Sequence, residues 1–306
     1  MSYSWVPLMG EFEQKKDSII FKGGQIEVSG VGGPSKGAQI GNILCDKRFT
    51  DGEISVEIQF SKISPNSICE IILYHDSNGP NLLNAGIGGA IGSMFSIRYF
   101  HEKNWDVFSQ AGNRGNLKAN HKYQLRIKKF GNKVVVNIDG IDVCQANIPF
   151  NFPSTNVGIF CIDFSSITIT NFQVVSELPK AFVIMQFTPP YNELHEEVIK
   201  KVCDEFKIQA VRADDTFGPG LIIADIIKDL YESLIVIAEI SPSNPNVYYE
   251  LGYAHAINKP TILIAEKGTK LPFDVSPFRT LFYENSIAGK NKVEMGLRKH
   301  INAILK

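Results

Sequence analysis

The sequence has little cysteine, almost no net charge and no long apolar run, and each shortage excludes something. Five cysteines are spread over 306 residues, at Cys45, Cys69, Cys144, Cys161 and Cys203. None forms a C-x-x-C pair and no histidine lies at zinc-finger spacing from one, so a zinc site of that kind is excluded. An odd number at wide spacing argues for buried free thiols in a reducing compartment and against a disulfide frame. Lys plus Arg is 31 and Asp plus Glu is 32, a formal net charge of −1. That balance lacks the basic footprint of polyanion binding, so no nucleic-acid partner is expected. The most apolar stretch, Leu221 to Ile240, is interrupted by Asp225, Lys228, Asp229, Glu232 and Glu239. No membrane-spanning segment is therefore expected. The start of the chain has no basic segment followed by an apolar one, and a cytoplasmic location is expected. There is no G-x-G-x-x-G after a strand, no internal repeat and no low-complexity tract.

What is present is ordinary globular text in two styles. A chain of this length suits two cores, since single cores stop growing near about 250–300 residues. The style changes near Glu177-Leu178-Pro179-Lys180, which predicts domains at 1–177 and 178–306. Charge does not mark the join: 16 basic and 16 acidic residues precede position 179, and 15 and 16 follow.

The first part reads as short strands. Ile54, Val56, Ile58 and Phe60 alternate with Glu53, Ser55, Glu57 and Gln59, as in a strand with one buried face. Tyr123–Lys129 and Lys133–Ile138 alternate likewise, joined at Gly131-Asn132. Asp139-Gly140 then supplies the positive φ of a tight hairpin into Ile141-Asp142-Val143. Val157–Phe164 and Ser166–Val174 are further strands. These residues, with Asn156-Val157-Gly158-Ile159-Phe160, resemble concanavalin A-like jelly-roll domains of the laminin-G and glucanase-like kind. The resemblance implies an antiparallel β-sandwich that binds a sugar or a protein, or supports its neighbour. Glu53 and Glu57 sit on the polar face and read as solvated rather than as a glycosidase pair. Trp105, with Tyr99, Phe100 and His101, reads as sandwich packing, with a sugar-stacking platform as the alternative.

The second part alternates strand and helix. Ala181–Met185 is a continuous apolar run, as in a parallel strand buried on both faces. Leu194, Val198, Val202 and Phe206 predict a helix over Tyr191–Phe206. Strands follow at Ile208–Val211, Leu234–Ile240, Thr261–Ala265 and Thr280–Tyr283. Helices are expected at Leu221–Tyr231, Asn246–Ile257 and Val293–Leu305. Alternation predicts a parallel sheet with right-handed crossovers, and five strands fit a flavodoxin-like 2-1-3-4-5 order.

Ser241 to Ala256 is the most informative segment. Asn244 suits an N-cap and Pro245 the first helical position. Glu250 falls in the second turn of the helix, just past the carboxyl end of the third strand. Asn246 and Tyr253 share its face. Gly252 would let the helix approach the sheet or a ligand. Phe182-Val183-Ile184-Met185-Gln186-Phe187, Arg212-Ala213-Asp214-Asp215 and Asn244 to Ala256 resemble bacterial TIR-like domains, relatives of the nucleoside 2-deoxyribosyltransferases. Lys259–Ile264 and Leu271–Asp274 extend the resemblance. It implies cleavage of an N-glycosidic bond, usually that of NAD, by the carboxylate matching Glu250. It also implies a role in bacterial antiviral defence, switched on by self-association into a homo-oligomer. NAD would be substrate, with no cofactor and no metal. Phe187, Asp214, Asp215, Glu239, Asn244, Asn246 and Tyr253 are the expected substrate-binding residues. The third strand ends in Glu239 where these relatives commonly have Asp. A nucleoside or deoxynucleotide N-glycosidase or transferase, and a non-enzymatic nucleotide-binding or scaffold protein, stay open as alternatives.

Overall fold

A computed structural model describes residues 3–30, 33–150, 152–212, 222–241 and 243–305. The chain forms two compact units, one of residues 1–129, 133–148 and 153–177, the other of 130–132, 149–152 and 178–306.

The first unit is an antiparallel sandwich of the jelly-roll kind. One sheet runs β1 (Trp5–Met9), β5 (Gly33–Phe49), β14 (Thr155–Asp163), β7 (Ile68–His75), β8 (Leu82–Ile87), β9 (Ser93–His101) and β10 (Asn104–Asn113), with β4 (Gln25–Gly30) paired to β5. The other runs β13 (Ile141–Asn147), β12 (Lys133–Ile138), β11 (Lys122–Phe130), β6 (Asp51–Phe60), β15 (Ile167–Glu177), β3 (Ser18–Phe21) and β2 (Phe12–Lys15). The period-two pattern of β6 and β11 buries Ile54, Val56, Ile58, Leu125 and Ile127 between the sheets. The facing is close enough that a Cβ at Gly41 of β5 would lie 2.5 Å from the Phe21 ring of β3. Asp139 (φ 51) and Gly140 (φ 88) make the β12–β13 turn in the left-handed region, as the Asp-Gly pair predicts.

The second unit is a five-stranded parallel sheet in the order β17 (Gln209–Arg212), β16 (Lys180–Ile184), β18 (Ile235–Glu239), β19 (Thr261–Glu266), β20 (Thr280–Tyr283). By sequence this is 2-1-3-4-5. The apolar run after Pro179 is flanked by strands on both sides, with Ala181 to Met185 all at most 3% exposed. Its alternate residues feed two cores. Ala181, Val183 and Met185 meet Val198, Val202, Val293 and Leu297. Phe182 and Ile184 meet Leu230, Val247, Leu251 and Ala254.

Two helices differ from the periodicity. The segment expected as one helix is α1 (Tyr191–Leu194), a single π turn (His195–Ile199) and α2 (Lys200–Glu205). A strict four-residue apolar repeat overshoots the 3.6 residues of an α turn, and the wider turn keeps Val198 and Val202 both on the core. The last helix, α5 (Ile287–Ile304), starts six residues earlier than expected. Ser286 caps it by accepting from the Gly289 amide at 3.1 Å. Gly289 lowers the helical signal but is required: a Cβ there would lie 1.8 Å from the Glu284 carbonyl oxygen. The remaining helices are α3 (Ile222–Glu232) and α4 (Pro245–Ala256). Among the described residues no helix is long and apolar enough to cross a membrane.

Candidate functional site

Topology places the site. From β16 the chain turns into α1 and α2, which pack on one face of the sheet. From the adjacent, parallel β18 it turns into α4, which packs on the other. Connections leaving in opposite directions open a crevice at the carboxyl ends of these two strands.

The α4 helix is fixed at its start by its own sequence. Asn244 Oδ1 accepts from the Asn246 amide at 3.0 Å, and Pro245 occupies the first turn. Val247, Leu251 and Ala254 bury one stripe of the helix. Glu250 lies at the border of that stripe and is half-buried. Among the described residues nothing hydrogen-bonds or ion-pairs with it, and burial pushes its carboxyl up to about 7. A desolvated carboxylate without a partner on the protein can serve chemistry on a ligand.

Glu239 ends β18 and is equally displaced but differently held. It is fully buried, and burial pushes it up to about 7. Ser241 donates to it through its hydroxyl and through its amide at 3.2 Å, and the Tyr283 hydroxyl donates at 3.3 Å. Ser241 Oγ in turn accepts from the Glu266 amide at 2.6 Å. This network ties together the ends of β18, β19 and β20, and it gives Glu239 a structural employment that Glu250 lacks among the described residues.

The other expected residues separate. Phe187 is 42% exposed just past β16. The Arg212 guanidinium, from the end of β17, lies 5.0 Å from its ring centroid and donates to Asn192 Oδ1 at 2.9 Å. Asn246 is exposed. Tyr253 is half-buried and shares a hydrogen bond with the Tyr231 hydroxyl of α3. Asn244 has its side-chain oxygen engaged in the helix cap. Asp214 and Asp215 lie outside the described residues. Gly252 does not serve close approach to the sheet, because a Cβ there meets nothing within 4 Å. His255 stacks on Phe278 at 4.2 Å, and burial holds its imidazole below the usual range.

Local pattern assigned no site role to Ser241, Tyr283, Arg212 or Asn192, although Ser241 opens the most informative segment and Arg212 falls in one that carries the resemblance. A cavity of about 230 Å³ opens beside Glu266 and Tyr283, lined also by Glu193, Glu197, Ser286 and Lys290. Glu250 does not line it.

In the sandwich unit, Trp105 is not an open platform. The Arg98 guanidinium lies 3.6 Å from its ring centroid, and Phe100 and Phe160 pack against it. Glu57 is not simply solvated: Lys122 at 2.9 Å, Gln124 at 2.7 Å and Thr170 at 3.0 Å all donate to it. Its companion Glu53 pairs with Arg126 at 3.1 Å. Sequence reading also missed Glu70 and Arg98, a fully buried pair at 2.7 Å, to which Asn84 and Ser96 donate through Glu70.

No family model matches the chain, and no curated protein matches it. Solved structures are similar to parts of it. The carbohydrate binding module CBM66 from Bacillus subtilis has 16% identity and a TM-score of 0.44, over 55% of this chain and 92% of that one. The Bacillus licheniformis β-glucanase has 11% identity and a TM-score of 0.35, over 55% and 89%. A 2-deoxyribosyltransferase from Bacillus psychrosaccharolyticus has 14% identity and a TM-score of 0.31, over 38% and 90%.

Proposed function

We propose that the second unit is a TIR-like domain that cleaves the nicotinamide–ribose bond of NAD, with Glu250 as the reacting carboxylate. The observation that carries this reading is the state of Glu250: half-buried, without a protein partner among the described residues, and at the switch-point end of the sheet. As the glycosidic bond breaks, its electron pair returns to the cationic nicotinamide ring, which leaves neutral and needs no proton. Positive charge develops on the ribose, and an ionised Glu250 stabilises it or attacks the anomeric carbon. Water then completes hydrolysis and releases one proton. The sandwich would serve as a sensor or assembly unit, in the setting of antiviral defence.

The measurement is nicotinamide release from NAD at high protein concentration. Glu250→Gln should lower the rate by about 100- to 1000-fold, the usual scale for losing one electrostatic stabiliser. Equal release by the variant would sink the assignment. The pH profile separates a second reading, which the position of Glu250 near 7 favours. With NAD the carboxylate acts ionised, so the rate should climb through about pH 7 and level off above it. A neutral nucleobase leaving from a nucleoside needs a protonated acid instead, and that rate should fall as pH rises through the same range.

A further inference from the structure

Cys69 of β7 and Cys161 of β14 are direct cross-strand partners in adjacent antiparallel strands. Their Sγ atoms lie 3.8 Å apart, with one thiol donating to the other. Both residues are at most 1% exposed. Directly opposed residues on antiparallel strands have Cα atoms about 4.5–5.5 Å apart. That lies inside the span of roughly 4.4–6.8 Å that disulfides bridge. Bond formation therefore needs the sulfurs to close to about 2.05 Å by side-chain rotation, with little demand on the backbone. The other thiols are placed differently: Cys45 faces the Lys47 carbonyl oxygen, Cys144 bonds Ser109, and Cys203 belongs to the second unit.

We propose that Cys69 and Cys161 form a latent disulfide site in the sandwich, closed by a peroxide. One thiolate attacks the O–O bond of hydrogen peroxide, giving a sulfenic acid and, after proton transfer, one water. The second sulfur then attacks the sulfenic sulfur and displaces hydroxide, which takes the second thiol proton and leaves as water. Two thiols lose two electrons and two protons, and one peroxide becomes two waters. Burial, with Asp163 and Glu70 nearby, holds Cys161 in its thiol form. Closure is accordingly slow in the intact sheet and passes through local opening of β7 from β14, so low denaturant accelerates it. The bond would link residues 92 positions apart, and constraining so long a loop in the unfolded chain stabilises the sandwich.

The test uses the full chain carrying Cys45→Ser, Cys144→Ser and Cys203→Ser. It is exposed to hydrogen peroxide, quenched with catalase, unfolded and alkylated. The expected product is a monomer about 2 Da lighter than the reduced chain, with two thiols lost together. It resists alkylation until treated with dithiothreitol, and it melts at a higher temperature than the reduced protein. Two thiols still open to alkylation, a sulfinic end product, or a cross-linked dimer would each overturn the proposal. Two of the replaced cysteines are buried, so the unsubstituted chain is mapped in parallel. There, one cross-linked peptide pair should join Cys69 to Cys161 and vanish in Cys161→Ala, and oxidation without that pair counts against the site.

Discussion

Glu250 and Glu239 are both pushed up to about 7 by burial, yet their surroundings assign them different work. Glu239 is held from three directions, whereas Glu250 has no described partner. The sign of the stability effect follows from the direction of the shift. A carboxyl raised on folding binds its proton more tightly in the folded state. Its favourable contribution is fully present below the unfolded value near 4.5 and is lost as pH rises through about 7. Glu250→Gln should therefore change stability little at pH 4 and stabilise the second unit at pH 8, by roughly 1–3 kcal/mol. Urea denaturation at the two pH values checks this, and a variant less stable at pH 8 would show that Glu250 has a charged partner. The place of Glu250 was legible from Asn244-Pro245 and the strand before them. Its desolvation was not, because burial is set by residues distant in the chain.

At the scale of elements, β6, β11 and β12 follow their alternation, and α4 follows its cap. The first and last helices of the second unit do not follow theirs. The π turn answers a repeat that α geometry cannot keep on one face, and Gly289 is where α5 passes against the Glu284 carbonyl. The sheet of β7, β8 and β9 holds a device that alternation cannot reveal, the buried Glu70–Arg98 pair. Removing one member leaves an uncompensated buried charge, so Arg98→Met should destabilise the sandwich by about 3–5 kcal/mol. The double change Arg98→Met with Glu70→Leu should recover most of that loss. Denaturation followed by tryptophan fluorescence measures both, with Trp105 beside the substituted side chain. A double variant no more stable than the single one would mean that Asn84 and Ser96 depend on the pair for their own satisfaction.

At the scale of the whole molecule, the chain joins a sandwich to a parallel α/β sheet, each nearly neutral in charge. If self-association switches on the second unit, nicotinamide released per mole of protein should rise with protein concentration before reaching a plateau. Sedimentation at the same concentrations should show the larger species appear in step. Activity per mole that stays flat from dilute to concentrated solution would remove assembly from the proposal and leave a constitutive hydrolase.

Sequence alone determined the elements whose side chains obey one local period: the alternating strands, the apolar parallel strands, the Asp-Gly turn and the capped α4. From these followed the two architectures and the 2-1-3-4-5 order, because crossover handedness and short connections leave few other arrangements. Only the tertiary structure decided which polar groups meet. Glu239 and Tyr283 are 44 positions apart, Arg212 and Asn192 are 20, and Cys69 and Cys161 are 92. A side chain's burial and its partners come from packing between elements, and local pattern carries no record of them.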